Sequence, residues 1–280
     1  MKTILRSRTK EVIISTDGPV IVIGECINPT RRKKLVSTLQ EGNYEFMLEL
    51  ADSQIKAMAD MLDVNVGFPG VDDVKLLPEA VRHLQSHCDV PLCLDSPNPR
   101  AIEAALKVID GKCLINSVNG EEKSLSAILP IVREYGAAVI GLVMDDEGIT
   151  HDPLKRLSVA EKIVNRAVQM GIHEEDVIID PLAMAVSADP RACVVTLETI
   201  KLVHDKLGLN ITQGASNISF GLPDRETLNI AHMVLSIYNG LTCPIANPEK
   251  IMAAVRAADL ILGRDDFAMR FIEFSQTKLS

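Results

Sequence analysis

Met61-Leu62-Asp63-Val64-Asn65-Val66 is a short aliphatic run with an acid and an amide set inside its end. A run of this length, rich in β-branched residues, reads as a strand, but an Asp and an Asn within the apolar stretch are not explained as helix caps or turn residues. The same pattern recurs outward in both directions. Strand candidates fall at 20–24, 61–66, 91–95, 113–116, 138–144, 177–180, 211–216 and 242–246, with a mean repeat of about 32 residues, enough for a strand, a helix and two loops. Most are apolar without alternation, as expected where both faces of a parallel sheet are covered.

The intervening amphipathic stretches carry start and stop signals. Asp72, Asp73 and Pro78 open one, Asn98-Pro99 the next, and Pro153, Pro190, Pro223 and Pro248 stand at later starts, while Gly136, Gly171, Gly208 and Gly240 stand where helices should end. Eight such units predict a single (β/α)8 TIM barrel, one α/β domain over residues 1–280. An open doubly wound sheet uses the same units and competes with it, because closure is not written in a period. Residues 1–19 read as an entry segment, a hairpin closing the barrel floor, and residues 261–280 as a terminal helix.

Composition narrows the function. The 280 residues are 47% apolar and 24% charged, which are globular proportions. A net charge of −9 opposes general attraction to phosphate backbones or anionic membranes, so no nucleic acid and no membrane partner is expected. The six cysteines form no Cys-x-x-Cys pair and read as reduced thiols. The N-terminus lacks a signal-peptide apolar block and the longest apolar stretch, 137–144, is far short of a membrane span, which together predict a cytoplasmic protein.

Nearly every strand candidate ends in a small polar or acidic group: Glu25 and Asn28, Asp63 and Asn65, Asp95 and Ser96, Asn116 and Ser117, Asp145, Asp180, Ser216 and Asn217, Asn247. In a barrel these ends converge on the C-terminal face, where active sites of the fold lie. The ring holds carboxylates and amides but no strand-end His, Lys or Arg, which disfavours acyl transfer. Several Asp could hold Mg²⁺, but amides outnumber what a metal needs, so no metal site is expected. A planar heterocycle suits the ring better: a carboxylate accepts two parallel N–H bonds from an amino-pyrimidinone edge, and an Asn amide donates and accepts at once. A pterin is such a ligand.

Seven stretches in order, Ile23-Gly24-Glu25-Cys26-Ile27-Asn28, Leu62-Asp63-Val64-Asn65-Val66-Gly67, Cys93-Leu94-Asp95-Ser96, Ile115-Asn116-Ser117, Gly141-Leu142-Val143-Met144, Ile179-Asp180-Pro181-Leu182 and Ser216-Asn217-Ile218-Ser219, resemble the motif set of pterin-binding barrel methyltransferases. More narrowly, the chain resembles the methyltetrahydrofolate:corrinoid protein methyltransferases over roughly residues 20–260. The resemblance implies a homodimeric barrel enzyme that exchanges a methyl group between N5 of tetrahydrofolate and the cobalt of a cobalamin (corrinoid) carried by a separate partner protein, with 5-methyltetrahydrofolate as substrate or product. Matched position by position, it implies Asp95, Asn116 and Asp180 as pterin-binding residues and Asn217 as the amide beside N5. Asp63 and Asn65 match a further pair, and Ser216 and Asp145 are expected as further pterin-binding residues. Asp145-Asp146 stands where a relative carries Asn, which is a departure.

Two other functions fit parts of the chain. Dihydropteroate synthases resemble this fold, but that family places a Lys after the seventh strand and Arg-x-His after the eighth, where this chain has Ser216-Asn217-Ile218-Ser219 and Ile245-Ala246-Asn247-Pro248. A non-catalytic folate- or corrinoid-protein-binding scaffold would use the same ring without turnover. The Arg31-Arg32-Lys33-Lys34 run should lie at the barrel mouth, as a solvated helix start or as a contact for an anionic tail or acidic partner. His83 and His87 should face solvent on a helix, the cysteines should pack as small hydrophobes, and Met184 follows the sixth strand near the ligand.

Overall fold

The computed structural model describes residues 1–277. A hairpin, β1 (Lys2–Arg6) and β2 (Glu11–Ser15), precedes β3 (Ile23–Ile27), after which helices and strands alternate. They are α1 (Lys33–Gln40), α2 (Glu45–Lys56), β4 (Met61–Val64), α3 (Asp73–His87), β5 (Leu92–Asp95), α4 (Pro99–Leu106), β6 (Leu114–Asn119), α5 (Glu122–Tyr135), β7 (Ala138–Leu142), α6 (Pro153–Gln169), β8 (Val177–Asp180), α7 (Ala192–Leu207), α8 (Arg225–Tyr238), β9 (Ile245–Ala246), α9 (Pro248–Ile261) and α10 (Met269–Thr277). Seven parallel strands form one curled sheet in the order β8-β7-β6-β5-β4-β3-β9, so the last strand flanks the first.

Side-chain alternation along these strands produces two separate apolar layers. Leu62, Val64, Leu92, Leu94, Ile115, Val139 and Ile179 face the helices in one cluster. Ile23, Met61, Cys93, Leu114, Ile140, Ile178 and Ile245 form a second, inner cluster. The hairpin contributes Leu5, Val12 and Ile14 to that inner cluster, so it closes the N-terminal end of the sheet's concave side as expected. Burying an aliphatic side chain of this kind contributes roughly 2 kcal/mol.

The expected strand at 211–216 is not one. Ile211 and Gly214 make single parallel bridges to Ile179 and Ile245, and the chain then turns into a 3-10 helix over Ala215–Ser219. The physical cause is local: the Ile211 N–H is taken by the Thr242 hydroxyl at 2.9 Å, and the amide that would continue the ladder is lost. The segment still bonds to both sides, Thr212 N–H to Ile179 O at 2.9 Å and Ile245 N–H to Gln213 O at 2.9 Å.

Asn98, Asp152 and Asn247 cap α4, α6 and α9, each accepting an N–H from two residues on and each followed by a proline. Pro78 departs from the expected start, lying buried inside α3. The terminal helix starts at Met269 rather than 261, and residues 278–280 of that expectation lie outside the described residues.

Register slips between Gly24 and Ile27 in β3, and the freed Cys26 N–H donates instead to the Gln54 Oε1 of α2 at 2.8 Å. Gln54 reaches that point because Gly24 has no side chain, and a Cβ there would sit 2.4 Å from Gln54 Oε1. Gly24→Ala is therefore expected to displace Gln54, strand the Cys26 amide and cost about 2–3 kcal/mol, read as a lower midpoint in thermal or urea unfolding.

Candidate active site

Continuing the inner layer by two residues along each strand gives Glu25 after Ile23, Asp63 and Asn65 after Met61, Asp95 after Cys93, Asn116 after Leu114, Asp180 after Ile178 and Asn247 after Ile245. The polar ring is thus the next level above the inner apolar layer, on the concave face at the C-terminal strand ends. Asp95 pairs in register with Asn116 on the neighbouring strand. Asp180 pairs with Leu142, and its strand lies two places from β6, about 10 Å along the sheet.

Within the ring, residues on β4 and just after its end support their neighbours. Asn65 donates through Nδ2 to Asp95 Oδ2 at 2.8 Å, leaving the other carboxylate oxygen of Asp95 uncommitted. Asn116 Nδ2 donates to Asp63 Oδ1 at 3.2 Å, which fixes its amide with the carbonyl oxygen free. Asp63 is only 3% exposed, so it sits behind the surface of the site and bears on Asn116. Burial, and then the Asp95 carboxylate beside it, raise its affinity for a proton, and burial does the same for Asp95. Beside these two, Asp95 and Asn116 line a cavity of about 540 Å³ that runs out past Ser117 and Lys123.

Asp180 closes the other side. Its Oδ1 accepts the Leu182 N–H at 2.7 Å, and the Gly214 amide also bonds to the carboxylate. Burial pushes it up to about 6, with the two amides and the nearby Arg156 charge acting against that shift. Ser216 donates to Glu25 Oε2 at 3.2 Å, on the side of a cavity of about 190 Å³ also lined by Arg225 and Asn247. Burial raises Glu25 as well.

Asn217 lies on the 3-10 helix, exposed, with no hydrogen bond from its side-chain amide to any other described residue. Its Nδ2 lies 3.0 Å from where a Cβ on Gly214 would be, so the amide overhangs the bare backbone of Gly214, whose N–H holds Asp180. Asp180, Gly214 and Asn217 thereby form one contiguous edge.

Asp145 does not join the set: it begins a tight turn with Gly148, and its carboxylate accepts the Glu147 N–H at 3.0 Å. Arg31 lies at the mouth, its guanidinium 4.8 Å from the Phe220 ring next to the 3-10 helix. Met184 accepts a contact from Arg156 through its sulfur at 3.5 Å. His83 stacks on Tyr44 and His87 pairs with Asp52 at 2.8 Å, both on the outward face of α3. Cys93, Cys113 and Cys243 are buried in the apolar layers.

Two contributors escaped the sequence reading. Gly214 carries no chemical signal of its own. Arg156 does: it shares the helical phase of Ala160, Ile163 and Ala167, which places a cation on the buried face of α6.

Methylcorrinoid:tetrahydrofolate methyltransferase of Eubacterium limosum is 28% identical over 271 residues, covering 93% of this chain and 98% of that protein. Methionine synthase of Mycobacterium tuberculosis is 30% identical over 249 residues, 84% of this chain but only 21% of that larger protein. Among solved structures, dihydropteroate synthase of Yersinia pestis with a pterine-sulfa conjugate superposes with a TM-score of 0.71 at 18% identity, covering 93% of this chain and 99% of that one, a likeness of fold. The family profile described as pterin binding enzyme matches residues 24–247. With that match running from β3 through Asn247 and taking in the whole polar ring, the chain belongs to the pterin binding enzyme family.

Proposed function

We propose that the chain is a methyltransferase exchanging a methyl group between N5 of tetrahydrofolate and the cobalt of a corrinoid protein. The observation that carries this reading is the continuation of the inner strand face into Asp95, Asn116 and Asp180, an edge of acceptors and one adaptable amide suited to a flat, nitrogen-rich ring. The names of the Eubacterium limosum and Mycobacterium tuberculosis relatives support the reaction. An amide at Asn217, where a synthase would need a cation for its phosphates, favours methyl transfer over dihydropteroate synthesis.

The chemistry asks for charge control at N5. As the N5–CH₃ bond breaks, the electron pair of Co(I) forms the Co–C bond and the pair left on N5 must meet a proton. Asn217 suits this task because its NH₂ can donate to neutral N5, while its carbonyl can accept from protonated N5 after rotation, without titrating. Asp95 and Asp180 take the pterin edges, Asn116 donates and accepts between them, and Asp63 and Asn65 hold Asn116 and Asp95 in place. Ser216 flanks the ring through its bond to Glu25. Transfer from 5-methyltetrahydrofolate to free cob(I)alamin, followed spectrally, tests the function: conversion to methylcobalamin supports it, whereas folate binding without transfer favours a scaffold.

Because a pterin N–H edge binds a carboxylate and not a carboxylic acid, folate affinity should fall with acidification. Asp180, raised to about 6, is ionised above that pH and protonated below it, so calorimetric Kd is expected to rise by up to about tenfold per unit as pH drops below 6.

The closed (β/α)8 barrel belongs to the same proposal, with residues 210–214 as its seventh stave; their bonds to Ile179 and Ile245 on either side support it. The proposal also includes a single-domain chain, a cytoplasmic location and a homodimer. Leu228, Ala231, Leu235 and Tyr238 line one exposed face of α8 at three- and four-residue spacing, a seam suited to a second copy, and light scattering should return twice the chain mass.

A further inference from the structure

We propose that Arg156 is the positioning residue of the pterin site, holding Asp180 from behind by stapling the loop after β7 to the loop after β8. The inference rests on the reading of Asp180 as a pterin ligand, and it assigns the residue that sets that ligand's geometry and charge.

Arg156 is completely buried in the first turn of α6, yet no carboxylate lies within ion-pair distance of it among the described residues. A buried guanidinium without a counter-ion is costly, so its donors must be used. Four of its five N–H donors go to the two loops: Nε to Thr150 O at 2.8 Å, Nη1 to Pro181 O at 2.6 Å and Leu182 O at 3.0 Å, and Nη2 to Met184 Sδ at 3.5 Å. A planar fork with fixed donor angles can make this set of bonds, and an ammonium cannot.

The bonded backbone is the one that holds Asp180. Leu182 sits at φ 63°, a left-handed conformation that a branched side chain adopts only when its surroundings impose it. Arg156 on the Leu182 carbonyl, joined by the Thr196 hydroxyl at 3.0 Å, imposes it, and the Leu182 N–H is thereby turned onto Asp180 Oδ1 at 2.7 Å. The shortest route runs from Arg156 Nη1 through the Pro181–Leu182 peptide, whose oxygen accepts from the guanidinium at 2.6 Å and whose N–H donates to the carboxylate that faces the ligand. The unneutralised charge also acts directly on Asp180 through space. Among the described residues, the other titratable group facing Asp180 is the neutral thiol of Cys243, and the backbone amides of Leu182 and Gly214 bond to its carboxylate.

The test compares wild type, Arg156→Gln, Arg156→Lys, Asp180→Asn and the Arg156→Gln/Asp180→Asn double variant. Calorimetric Kd for 5-methyltetrahydrofolate is measured from pH 5 to 8, with unfolding midpoints recorded alongside. The expected results are about tenfold weaker binding in Arg156→Gln at pH 7, an acid limb displaced to higher pH, and a double variant no weaker than Asp180→Asn. Arg156→Lys, which keeps charge but not the fork, should restore the acid limb while binding remains weakened, and it carries the test if the Gln variant does not fold. Wild-type affinity in either Arg156 variant, or losses that add to those of Asp180→Asn with an unmoved acid limb, would overturn the proposal. If wild type itself binds no folate, the pterin reading falls first and this role with it; if wild type binds and only the Arg156 result fails, the pterin reading stands.

Discussion

Asn217→Ala is expected to slow single-turnover methyl transfer from 5-methyltetrahydrofolate to cob(I)alamin by about a hundredfold, while the Kd for folate stays close to wild type. The magnitude follows from removing one hydrogen bond made to charge that develops at the reacting nitrogen, about 3 kcal/mol. The separation of rate from affinity follows from geometry. Asn217 lies on a 3-10 helix outside the sheet and has no hydrogen bond tying its side-chain amide to any other described residue, so its loss removes neither a pterin-edge ligand nor a buried contact. Stopped-flow absorbance of cob(I)alamin decay measures the rate directly. A rate near wild type would remove Asn217 from the mechanism.

Asp95→Asn and Asp180→Asn are expected to act on the opposite quantity. Each replaces an acceptor-only carboxylate with an amide that presents an N–H to an N–H, and the loss of a charge-assisted pair weakens folate binding by roughly 2 kcal/mol, or about thirtyfold in Kd. The two differ in their consequences for the protein. Asp95→Asn must also re-form the bond from Asn65, whereas Asp180→Asn disturbs two backbone amides, those of Leu182 and Gly214. Asp180→Asn should therefore lose somewhat more, and its binding should lose the acid limb near pH 6. Calorimetry of both variants across pH separates the effects.

The polar ring was legible in the sequence because an Asp or Asn inside an aliphatic strand end has few structural uses, and strand ends converge where a parallel sheet curls. The hairpin at the start and the proline-led helices were legible for the same local reasons. The seventh stave was not. Its loss as a regular strand depends on the Thr242 hydroxyl capturing the Ile211 amide, a contact between residues 31 positions apart. Which ring members face a ligand and which stand behind was also hidden. Asp63 and Asp95 look alike in sequence, and only the bonds from Asn116 and Asn65 separate a supporting acid from one with a free oxygen. Asp145 shows the reverse case, where an acid at the expected strand end is used up by its own turn.

A crystal structure with 5-methyltetrahydrofolate bound tests the central claim most directly. The account predicts the pterin ring lying across the mouth of the sheet, with Asp95, Asn116 and Asp180 each within hydrogen-bonding distance of its polar edges and N5 next to the Asn217 amide. A folate seated elsewhere, or one whose ring touches only one side of this set, would contradict it.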